Sequence, residues 1–141
     1  MKTWNYLVIP LVSWTIAQVM KVTLESIKVR RINLRGLAET GGMPSSHSAI
    51  VAGLTTAVGR FDGLNSAAFA VALIFTFVVM YDATGVRRAA GRQAAVLNRL
   101  VEDLFHQRGV REDRLRELLG HTPVEVLAGA ALGALVAIAA P

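Results

Sequence analysis

Long apolar runs alternate with tight clusters of charge along this chain, and that alternation restricts what it can fold into. Residues 4–24 are apolar over about the 20 positions needed to cross ~30 Å of hydrocarbon. Residues 66–81 are strongly apolar, and so is the stretch from Thr122 to Ala140. Charge collects at residues 21–39 and 82–117, with little elsewhere. Only 18% of residues are charged, against about 25% in soluble domains. This is the distribution of a membrane protein, and the length allows one domain over residues 1–141.

The segments predict a small all-α transmembrane bundle. About four membrane helices are joined by an amphipathic helical segment. The first helix covers residues 4–24; Pro10 is expected to kink it, and a polar connector begins at Glu25. Trp4 and Tyr6 suit an interface. The second helix starts at Ser45 or Ser46 and runs to Val58, with a turn over residues 59–65. Ala49, Gly53 and Ala57 form a small-residue stripe that admits close helix packing, and Gly129 and Gly133 form another. After residue 81, Ala90, Ala94, Leu97, Val101, Leu104 and Phe105 repeat at helical spacing with charges between. That pattern reads as an amphipathic helix, on the membrane surface or against the bundle. Gly109 stops it, and residues 111–119 form a shorter charged helix ending at Gly120. The last helix opens on Thr122-Pro-Val-Glu125, a capping box with proline at the first helical position.

Four crossings place residues 25–45 and 82–122 on one side. Of the 15 lysines and arginines, only Lys2 and Arg60 fall on the other. The positive-inside rule puts the charged side in the cytoplasm. That accounts for the net charge of +5 without a nucleic-acid partner. There are no cysteines, so disulfide and thiolate-metal frameworks are excluded. No cleavable signal peptide is expected, because the first apolar run lacks a small-residue exit site. Lys21, His47, Asp82, Arg87, Arg88, His121 and Glu125 all fall at the same membrane face.

Three blocks carry a family resemblance: GGMPSSHSA at 41–49, VVMYDATGVRRAAGRQAAVLN at 78–98 and LLGHTPVEVLAGAALG at 118–133. With them the chain resembles the divergent PAP2 proteins, integral-membrane relatives of acid phosphatases and vanadium haloperoxidases. The wider superfamily has three motifs. The first is lysine, six residues, Arg-Pro; here Lys21 is followed at that spacing by Lys28 and Val29. The second is Pro-Ser-Gly-His; here it is Pro44, Ser45, Ser46, His47. The third places an arginine six residues before a histidine and an aspartate four after it; here His121 has Leu115 and Glu125 at those positions, with Arg114 and Arg116 flanking Leu115.

The resemblance implies hydrolysis of a lipid phosphate or diphosphate, polyprenyl or phospholipid, with no metal and no cofactor. His121 would be the nucleophile, forming a phosphohistidine. Glu125 would fix its tautomer, or serve only the capping box. His47 would protonate the leaving alcohol. Lys21, Arg87 and Arg88 would hold phosphoryl oxygens. Asp82 is either a partner for those arginines or a functional acid at the membrane edge. Backbone N–H groups at Ser45, Ser46 and His47 would add to the anion site if a helix starts there. The alternative is a non-catalytic member of the fold that binds lipid phosphate or acts as a scaffold or transport component. Four thin helices bury little surface, which leaves room for a homodimer. The resemblance implies a bacterial plasma membrane or a plant plastid membrane.

Overall fold

The computed structural model describes residues 2–30, 42–105 and 120–141. Among them are five helices and no strand: α1 (Lys2–Val29), α2 (Ser46–Phe61), α3 (Ala67–Thr84), α4 (Val86–Phe105) and α5 (Pro123–Ala139). The bundle is α1, α2, α3 and α5, with α4 as the amphipathic addition.

α2 is the axis of the bundle, because α1, α3 and α5 all pack on it. Its buried residues include Ser48, Ala49, Val51, Ala52, Gly53 and Thr55, so it is covered on every side. At 16 residues it is about 24 Å long, shorter than the hydrocarbon layer. Protein surrounds it, so the shortfall is not met by lipid. The outer faces of α1, α3 and α5 carry Leu7, Leu11, Ile74, Phe77, Leu127 and Leu135, all exposed. In water such surfaces would be unfavourable by about 25 cal/mol per Å²; against lipid chains they are matched.

The small-residue stripes set the closest approach. A methyl group at Gly129 would fall on the Ser45 carbonyl, and one at Gly133 on the Ala49 carbonyl. One at Gly53 would lie 2.7 Å from Ser13 Oγ on α1. Backbone therefore meets backbone between α2 and α5, as lipid-embedded helices allow. Two threonines tie α2 to α3. Thr55 Oγ1 donates to the Ala72 carbonyl at 3.0 Å and lies 2.8 Å from Thr76 Oγ1, which donates to the Val51 carbonyl at 3.1 Å.

At the end holding the N-terminus of α1, Tyr6 donates to Asp62 Oδ1 at 2.5 Å. Arg60 donates to the carbonyls of Ala137 and Ala140 at the C-terminus of α5. The Tyr6 ring meets Phe61 edge-on.

Two sequence expectations need correction. α1 runs through Pro10 and continues past residue 24, so Glu25 is on the helix and not in a connector. Leu24 and Ile27 keep the apolar pattern going, and the helix stops only at Arg30, which turns left-handed at φ +54°. α2 reaches Phe61, with Gly59 inside it. Gly59 is a packing residue: a methyl there would lie 3.0 Å from the Phe69 ring of α3. The turn is residues 62–66, where Gly63 takes φ +87° and Ser66 caps α3 by accepting from Phe69 N at 3.1 Å. α4 begins at Val86, directly after Gly85. Of its expected apolar stripe, Ala94 is buried and Leu97 is exposed, as either placement expected for this amphipathic helix allows; among the described helices α4 packs against α3 alone. The expected stop at Gly109 and the helix over 111–119 lie outside the described residues.

Candidate functional site

The opposite end of the bundle is organised by residues 42–47. Gly42 has φ +89°, a conformation that strongly favours glycine. It also lies against α1. A methyl group there would stand 2.7 Å from Glu25 Oε1 and 2.9 Å from Lys21 Cε. Lys21 is 4% exposed. The Met43–Pro44 peptide is cis, and Pro44 is buried.

Ser45 is the N-cap of α2. Its hydroxyl accepts from Ser48 N at 3.4 Å and from Ser48 Oγ at 3.1 Å, with both serines fully buried. Its own N–H donates to the Glu125 carbonyl at 3.0 Å. Ser45 thus pins the loop to the first turn of α5, and its amide is engaged there. Ser46 and His47 are the first two helical residues. Ser46 is buried and His47 half-buried.

His121 is positioned three ways. Gly120 precedes it at φ +98°. Its N–H donates to the Ala83 carbonyl, the last buried residue of α3, at 3.0 Å. Its Nδ1 lies 3.3 Å from Glu125 Oε2. That same oxygen accepts from Thr122 N at 2.9 Å, while Glu125 N donates to Thr122 Oγ1 at 3.3 Å. One carboxylate oxygen therefore closes the capping box and contacts the imidazole, a geometry that leaves room for both roles open in the sequence. A carboxylate on Nδ1 favours the tautomer with its proton there and its lone pair on Nε2. The rings of His47 and His121 are 6.1 Å apart between centroids, tilted by 60°.

The structure brings His47, His121 and Glu125 together, with Ser45 bonded to the Glu125 carbonyl; Ser46 adjoins His47 in the chain, and Lys21 lies against Gly42, five residues before His47. Asp82 is half-buried and adjoins Ala83, which receives the His121 N–H. Arg87 and Arg88 are on the first turn of α4; their side chains, like residues 106–119, lie outside the described residues. Sequence reasoning missed Glu25. Its signal was spacing, because Lys21 and Glu25 are four apart in an apolar helix and so share a face.

Fold and site define a class first: a small all-helical membrane protein with a histidine pair at one end of its bundle. Two helical stretches, Trp4–Ile27 and Ala67–Val101, are long and apolar enough to cross a membrane. The model of the Divergent PAP2 family matches residues 3–136, and the chain belongs to that family. It is 45% identical, over an alignment of 133 positions covering 86% of this chain and 84% of the relative, to the uncharacterized membrane protein YuiD of Bacillus subtilis. No solved structure matches it.

Proposed function

We propose that this protein hydrolyses a lipid phosphate or diphosphate through a phosphohistidine on His121. The observation that carries the reading is the His47–His121 pair at 6.1 Å with Glu125 on His121 Nδ1. Two imidazoles this close can both reach one phosphate ester, one at phosphorus and the other at the leaving oxygen. The Nε2 lone pair of His121 attacks phosphorus, forming an N–P bond while the P–O bond to the lipid breaks. His47, protonated, gives its proton to the leaving alkoxide. Water then attacks the phosphohistidine, His47 takes its proton, and inorganic phosphate leaves with His121 restored. Lys21, Arg87 and Arg88 carry the positive charge for the phosphoryl oxygens, with Ser46 and His47 N–H groups at the start of α2. Asp82 serves that arginine pair.

A lipid substrate follows from membrane placement, since its tail stays in the bilayer while its head reaches the polar face. The charge asymmetry supports a cytoplasmic position for that face, in a bacterial plasma membrane or, if the source is a plant, a plastid membrane.

A second reading is a non-catalytic lipid-phosphate binder, favoured by the 4% exposure of His121. The test is phosphate release from a panel of lipid phosphates and diphosphates by the detergent-purified protein beside His121→Ala. Release by the wild type and its loss in the variant support hydrolysis. No release from any lipid by folded protein, with binding retained, supports the second reading.

A further inference from the structure

Glu25 has a role that the phosphohistidine chemistry does not use. It lies in the span Trp4–Ile27, one turn beyond the buried Lys21 and against the Gly42 backbone. Its Oε2 is buried and accepts no hydrogen bond among the described residues. A buried acceptor without a donor is costly, most of all for a charged group. An ionisable residue within a membrane span marks a functional site more often than a structural one. Glu25 is also placed by design of the loop, since any side chain at Gly42 would displace Oε1.

We infer that Glu25 selects the lipid head group: its carboxylate accepts a hydrogen bond from a hydroxyl or ammonium donor on a head whose phosphate is held by Lys21. Four features converge on this: a buried cation for the phosphate, a buried acceptor one helical turn away, a glycine that makes room for both, and attachment of that loop to His47. The inference rests on the proposal that this face binds lipid phosphate, though not on turnover. A charge-assisted hydrogen bond distinguishes ligands by roughly tenfold or more. Polyprenyl phosphates, which carry no such donor, would be the weaker ligands.

The test is equilibrium binding to the full-length protein in detergent. A monoacyl glycerol phosphate with a free hydroxyl is compared with its diacyl counterpart, which lacks one, and with an ethanolamine-bearing lipid phosphate. The wild type should prefer at least one donor-bearing lipid roughly tenfold. Glu25→Leu should erase the preference while leaving diacyl binding unchanged. Glu25→Gln, similar in size and still an acceptor but without the charge, should keep a reduced preference of roughly two- to fivefold and serves as the folding control. Equal binding of all three lipids by the wild type, or an intact preference in Glu25→Leu, overturns the inference. Selective binding without phosphate release sinks the hydrolase reading alone; release with equal binding sinks this one alone.

Discussion

The two ends of the bundle use their polar side chains differently. At one end, Arg60 donates to the last carbonyls of α5, and Tyr6 donates to Asp62 beside the last turn of α2. Charge there closes helix termini, whose final carbonyls have no partner within their own helix. At the other end, small groups do the capping. Ser45 caps α2, and Thr122 with Glu125 caps α5. Neither histidine ends a helix, and neither does Lys21. Burying titratable groups that termination does not require is unfavourable in a membrane. On that difference we read the first end as structural and the second as the proposed site.

The comparison is broken most sharply by substitution on each side. His121→Ala should reduce phosphate release by about a thousandfold or more, because no nucleophile remains. Arg60→Ala should leave turnover within about twofold and lower only the melting temperature. A large activity loss in Arg60→Ala would erase the distinction. His47→Gln should cost about 10²–10⁴-fold, the range for general acid–base catalysis, read as kcat at saturating lipid. Glu125→Gln tests the double role of one carboxylate. Glutamine still completes a capping box, so thermal stability should hold while kcat falls about 10–100-fold, since the imidazolium loses its anion. An equal loss of stability and rate would mean that Glu125 only caps.

Smaller effects concern the frame. Gly129→Ala places a methyl on the Ser45 carbonyl and should destabilise by about 1–3 kcal/mol as an overpacked contact, measured by thermal unfolding in detergent. Because Ser45 holds the loop of His47, turnover should fall with it. Tyr6→Phe should lower the melting temperature slightly and leave turnover unchanged.

Much of this was legible in the sequence, for physical reasons that differ by residue. The capping box at Thr122 could be read because three residue types at fixed spacing do one local job. The stripes at Gly129 and Gly53 could be read because small residues four apart share a helix face. The family blocks brought His47 and His121 together before any geometry did. Glu25 was assigned to a connector because a charged residue ordinarily ends an apolar run, and its burial depends on Gly42, distant in sequence. Gly59 was read as a turn because glycine is a local breaker by propensity, whereas its contact with Phe69 is tertiary. The exposure of Leu97 also lies beyond local pattern, since it depends on which helices α4 meets.

The central claim is that His121 is a nucleophile, and trapping it is the most direct test. Purified protein would be mixed with a lipid phosphate labelled at phosphorus, quenched in alkali within milliseconds to seconds, and its peptides sequenced by mass spectrometry. The account predicts an acid-labile, alkali-stable phosphoryl group on His121, absent from His121→Ala and persisting longer in His47→Gln. Phosphate release with no label on His121, or with label on another residue, would contradict it.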